Sequence, residues 1–142
     1  MAKQRLSISI RRLVFQRAQG CCEYCKSQAD FATQSFSIEH IFPIAKDGSN
    51  DPDNLALACQ GCNAHKSAKI EATDPLTQQP VPIFHPRQHS WRDHFDWDET
   101  FTQVVGLTPV GRATVEELHL NRPQLVRLRM ALFLLGEHPV GV

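Results

Sequence analysis

Apolar positions near the N-terminus recur at helical spacing. In residues 7–19, Ile10, Leu13, Val14 and Ala18 fall near helical spacing, Ser7 or Ser9 can cap the start, and Gly20 can stop it. One face of this helix should be buried. Around residues 35–42 the pattern changes: Phe36, Ile38 and Ile41, among β-branched and aromatic residues, fit a strand bearing the pair Glu39-His40. Residues 43–54, PIAKDGSNDPDN, are dense in Gly, Pro, Asn and Asp and read as a loop. LALAC at 55–59 predicts a second short strand, and NAHKSAKIEA at 63–72 a helix. Residues 73–90 hold four of the nine prolines, which predicts an extended, irregular segment wrapping the core without adding an element to it. WRDHFDW at 91–97 and FTQVVGL at 101–107 can pair as a hairpin across 98–100. TPVGRATVEEL at 108–118 can form a short helix. In 121–136 a longer one is expected, with Asn121 as cap, Pro123 in the first turn, a stripe of Leu125, Leu128, Leu132 and Leu135, and Gly136 at the end.

Length and composition narrow the reading. A chain of 142 residues is about the size of one domain, and 42% hydrophobic with 21% charged residues is ordinary for a globular protein. No apolar run approaches the roughly 20 residues that cross a bilayer. Arg11, Arg12 and Arg17 interrupt the basic N-terminal segment, so it lacks the continuous apolar region of a secretory signal, and the expected location is cytoplasmic. Net charge is zero, which argues against attachment to nucleic acid by bulk charge. Charge is nonetheless uneven, because Lys3, Arg5, Arg11, Arg12 and Arg17 precede the first acid, Glu23. This segment is either a solvated helix surface or a phosphate-contacting face.

The five cysteines carry the strongest chemical signal. Cys22-x2-Cys25 and Cys59-x2-Cys62 supply four thiolates, and each such turn can present two sulfurs to a tetrahedral ion. In a chain without a signal peptide this spacing points to structural zinc ahead of disulfides. Cys21 is left over, and its place beside Cys22 leaves open which of the two binds. A four-cysteine site is closed, so His65, three residues after Cys62, is free for other work.

Between and just after the pairs, EHIFPIAKDGSNDPDNLALACQGCNAHK resembles the HNH endonuclease family, with its Asp-His, Gly-Gly-Ser, Asn-Leu and Cys-x2-Cys-Asn-x-x-Lys pattern. His40 and Asn54 match the first two letters, and His65 can serve as the third, a place for which Asn63 competes. Glu39 stands where Asp is commoner, and Asp47-Gly48 replaces Gly-Gly. Residues 84–97 and 106–123 resemble the extension of small bacterial and cyanobacterial-type HNH proteins. The resemblance implies an α+β fold: a small ββα-metal (His-Me finger) core stapled by a four-cysteine zinc knuckle, with an N-terminal helix and a C-terminal extension of hairpin plus helices. A single domain over 1–142 is expected, with the nuclease core at 20–70 and the extension at 71–142 packing on it.

The implied activity is metal-dependent endonucleolytic hydrolysis of phosphodiester bonds in DNA, expected to be double-stranded. Such hydrolysis needs an activated water and neutralisation of charge on the phosphoryl group. His40 suits the general base, since an ordinary imidazole titrates near 6.5. Glu39 and His65 suit an open divalent ion, Mg²⁺, Mn²⁺ or Ni²⁺. Asn54 would fasten the loop and orient the His40 ring. The alternative is a catalytically inactive zinc-knuckle module that binds nucleic acid. In 85–97, Trp91, Phe95 and Trp97 are expected to pack the extension on the core, while Arg87 and Arg92 either contact phosphate or pair with acids such as Asp93 and Asp96.

Overall fold

The computed structural model describes residues 5–140, so Lys3 of the basic N-terminal group lies outside the described residues. Helix α1, Ile8–Arg17, starts where Ser7 accepts a hydrogen bond from the Ile10 amide, a cap of the kind that contributes about 1 kcal/mol. It packs its Val14 face on a two-stranded hairpin, β1 (Ser37–His40) and β2 (Leu55–Ala58). Helix α2, Gln60–Lys66, follows directly. Strand, loop, strand and helix thus occur in the expected order. The helix stops at Lys66, short of the expected span, because Ser67 takes a positive φ of 51°.

Register fixes what each hairpin face sees. Ile38 pairs with Leu57 and His40 with Leu55, whereas Ser37 pairs with Ala58 and Glu39 with Ala56. Successive strand residues point to opposite faces. Ile38, Leu55 and Leu57 therefore pack against α1, and Ala56 and Ala58 join the main core with the cysteines. Glu39 and His40, adjacent in sequence, are turned to opposite sides of the hairpin.

The proline-rich segment differs from its expectation. Glu71–Thr73 (β3) and Pro80–Pro82 (β4) form a two-stranded ladder closed by a turn on Asp74. Prolines are tolerated there because each strand has only one neighbour. Residues Trp91–His94 form one helical turn (α3), and Phe95–Trp97 (β5) pairs with Val104–Gly106 (β6). The Asp98 carboxylate accepts from the Thr102 and Gln103 amides and ties this longer turn. Helices α4 (Pro109–Glu117) and α5 (Pro123–Leu134) complete the fold.

Asn121 does not cap α5. Its side chain bridges to Val104, donating to the carbonyl and accepting from the amide, and Arg122 takes the cap position without a side-chain bond. Of the leucine stripe, Leu125 and Leu132 are buried and Leu135 is exposed. Arg129 fills the buried face instead, donating to the carbonyls of Leu120 and Thr102. One apolar core runs from the cysteine turns through Trp91, Phe95, Leu118 and Leu125.

Candidate functional site

The four expected sulfurs converge. The Sγ atoms of Cys22, Cys25, Cys59 and Cys62 lie within 4.8 Å of one another, all are buried, and none is in a disulfide. Tetrahedral zinc at about 2.3 Å from each sulfur requires S–S separations of about 3.8 Å. The Cys25–Cys59 pair, at 3.6 Å, is close to that value. The donor set therefore fits zinc, which would be held by these four cysteines and would staple α2 to the first turn. Cys21 stays outside the cluster and points at the Gln19 carbonyl. A further contact was not legible in the sequence: Arg122, from the start of α5, directs its guanidinium at Cys59 Sγ (3.3 Å) and Cys62 Sγ (3.7 Å). With zinc held there, it would offset the charge that four thiolates leave around a divalent ion.

The loop between the strands is closed by Asn54. Its Oδ1 accepts from the Phe42 amide, and its Nδ2 donates to the carbonyls of Phe42 and Ser49. The Gly-Gly departure is accommodated within the same loop. Asp47 adopts the left-handed φ of 67°, which Asp tolerates, while a Cβ on Gly48 would sit 1.8 Å from the Phe42 carbonyl oxygen. Asn54 thus fastens the loop, but a different side chain touches His40. The Nε2 of His40 is 2.7 Å from Asn50 Oδ1, so this nitrogen donates and Nδ1 keeps the ring's lone pair. Asn50 lay unmarked among the polar residues of the loop.

Glu39 points to the other side and is closed in. Tyr24 donates to Oε1 at 2.5 Å, and Lys66 Nζ sits 2.7 Å from Oε2, both partners being buried. Burial pushes the Glu39 carboxyl above its ordinary range, and the Lys66 ammonium opposes that shift. Lys66 also donates to the Ile41 carbonyl.

His65 is placed elsewhere. Its ring lies against His119, with centroids 4.4 Å apart, at the junction of α4 and α5. Partial burial, then the charges of His119 and Arg122, push its pKa down. Lys66, one residue on and about 100° around the helix, is the side chain that reaches Glu39. Glu39 and His65, expected to share a divalent ion, are thus not brought together. As these side chains stand, they do not compose an ion site.

The density of His, Arg and Trp in 85–97 is mostly packing. Trp91 and Phe95 are buried, and Trp91 Nε1 donates to the Tyr24 carbonyl. Arg92 pairs with Asp96, as one expectation had it, whereas Arg87 reaches back to Glu23. Glu23 in turn accepts from the Leu57 amide and so ties the first cysteine turn to β2.

Residues 22–69 match the family model described as HNH endonuclease. This segment is an HNH domain. The match begins at the first zinc-knuckle cysteine and ends just after α2, so it takes in the hairpin, the Asn54 loop and the knuckle helix. HNH is a nuclease-type family that acts on nucleic acids, and the cysteine cluster of this HNH domain is of the zinc-knuckle kind. No curated protein matches the chain. Among the described residues no helix is long and apolar enough to cross a membrane.

Proposed function

We propose that the chain is an endonuclease that hydrolyses phosphodiester bonds in DNA, with His40 as general base. The observation that carries this reading is the His40 ring, fixed by Asn50 through Nε2 and left with a free lone pair on Nδ1 at the edge of an open cleft. In that role Nδ1 takes a proton from water as the oxygen attacks phosphorus, and the P–O bond to the leaving oxygen breaks. Asn54 keeps the loop that carries Asn50 in place, and so acts on His40 through a second side chain. The zinc knuckle has a structural role, holding α2 against the strand that ends in His40.

Glu39 is the carboxylate a divalent ion would use, and its release requires displacement of the Lys66 ammonium. On α2, Asn63 is about 60° from Lys66 on one side and His65 about 100° on the other, which favours Asn63 over His65 beside Glu39. The closure of Glu39 by Lys66 and Tyr24 also supports the second reading, a zinc-knuckle module that binds nucleic acid without turnover.

Plasmid cleavage across Mg²⁺, Mn²⁺ and Ni²⁺ separates the two. His40→Ala should retain zinc and the fold and lose about 10²- to 10⁴-fold in rate. Turnover equal to wild type removes His40 from the mechanism. Absence of cleavage by the wild type with every ion, together with DNA binding, establishes the binding module.

A further inference from the structure

The hairpin face that carries His40 is also the face that α1 covers. α1 turns through about 100° per residue, so the residues around the buried Val14 have distinct directions. Arg11 and Arg17 each lie about 60° from Val14, on opposite sides, while Arg12 lies about 160° away. Arg17 is used structurally, its guanidinium donating to the Leu55 carbonyl at 2.7 Å. Arg11 flanks the other side, where a cleft of about 410 Å³ opens between α1 and β1. Arg5, Arg11, Phe36, Ser37 and His40 line it. No carboxylate is among its lining residues, and among the described residues neither Arg5 nor Arg11 pairs with an acid.

In a chain of zero net charge, two unpaired guanidinium groups beside the imidazole of the proposed base form a local anion site. Its chemistry suits a phosphodiester: planar, permanently charged forks that match non-bridging phosphate oxygens. We infer that Arg5 and Arg11 seat the phosphate on which His40 acts, with Arg11 on its non-bridging oxygens and Arg5 on a neighbouring phosphate of the same backbone. This deepens, and rests on, the reading of His40 as the base. Water attacks the phosphate seated by Arg11, its proton passes to His40 Nδ1, the P–O bond breaks, and the leaving oxygen takes a proton from solvent. On the His40 side, Arg11 meets charge developing on the phosphoryl oxygens.

The test uses the full zinc-loaded chain with Arg11→Ala, Arg11→Lys, Arg5→Ala and, as control, Arg12→Ala, each read by plasmid cleavage and by affinity for a short mixed-sequence DNA duplex across a salt series. All three positions are exposed, and alanine favours the helix at 11 and 12. Arg11→Ala should lower kcat on the order of 10² and flatten the salt slope by about 0.9 for the lost phosphate contact. Arg11→Lys should keep the slope and recover only part of the rate. Arg5→Ala should flatten the slope and raise KM more than it lowers kcat. Arg12→Ala should match wild type in both readouts. If Arg5→Ala and Arg11→Ala behave as Arg12→Ala does, the seat is not there, whatever His40→Ala shows. If His40→Ala cleaves normally while Arg11→Ala loses both rate and slope, the base assignment fails and the phosphate seat stands. If the wild type does not cleave, the salt slopes alone decide the matter in the same way.

Discussion

At the scale of single residues, the closed pair Glu39–Lys66 carries a definite energetic consequence. Both side chains are almost wholly buried, and each is the other's charge partner. Removing one member of such a pair leaves an uncompensated buried charge, which typically costs 3–5 kcal/mol, whereas replacing both by neutral groups costs much less. Lys66→Met should therefore destabilise the fold by about 3–5 kcal/mol, and Lys66→Met with Glu39→Gln should recover most of the loss. Urea denaturation of the two variants checks this. Equal destabilisation in single and double variants would mean that the pair contributes through packing and not through charge. The adjacent letters Glu39-His40 were readable as a reactive pair, but their separation onto two faces follows from strand alternation once the register with Ala56 and Leu55 is known.

At the scale of elements, α2 depends on the cysteine cluster and on Arg122. α2 has seven residues, begins at the second cysteine pair, and is shorter than the roughly 12–15 residues at which an isolated helix becomes marginal. Metal binding supplies the missing stability when ligands become ordered only on folding. Cys59→Ser or Cys62→Ser should release zinc and melt the hairpin-helix unit, whereas Cys21→Ser, outside the cluster, should retain full zinc. Zinc content and circular dichroism read both. Arg122→Ala should leave zinc bound in the folded protein but speed its loss to a chelator. A Cβ on Gly61 would lie 2.4 Å from Arg122 Nη2, so Gly61→Ala should accelerate that loss as well. Unchanged release in both variants would detach Arg122 from the metal site.

At the scale of the whole molecule, the extension and the HNH segment share one core, linked by Arg87 to Glu23, Trp91 to Tyr24 and Arg122 to the knuckle. A fragment ending at residue 70 should accordingly fail to fold with zinc at the stability of the full chain. Proton-deuterium exchange on fragment and full chain tests whether they form one cooperative unit. Acid should loosen the extension through Asp74, whose carboxyl is held well below the usual range, first by hydrogen bonds from Arg112, against the opposing effect of burial. The folded value lies below the unfolded one, so the unfolded chain binds the extra proton. The stabilisation is complete above the ordinary Asp pKa of about 3.9 and is lost as pH falls below it toward the folded value. The stability gap between wild type and Asp74→Asn should therefore narrow as pH drops from neutral to about 3; a constant gap would assign the effect to shape. The sequence by itself determined the cysteine spacing, the order of hairpin and helix, and the N-terminal and C-terminal helices, because local chemistry and short-range periodicity specify each of these; the loop-closing Asn54 was legible only through the family resemblance. Only the tertiary structure decided that Lys66 and not His65 reaches Glu39, that Asn50 holds His40, that Arg122 completes the knuckle and that Arg11 shares a cleft with His40. These choices depend on helix phase and strand register, and on contacts made between residues tens of positions apart. A one-residue change in phase or register would redirect every one of those side chains.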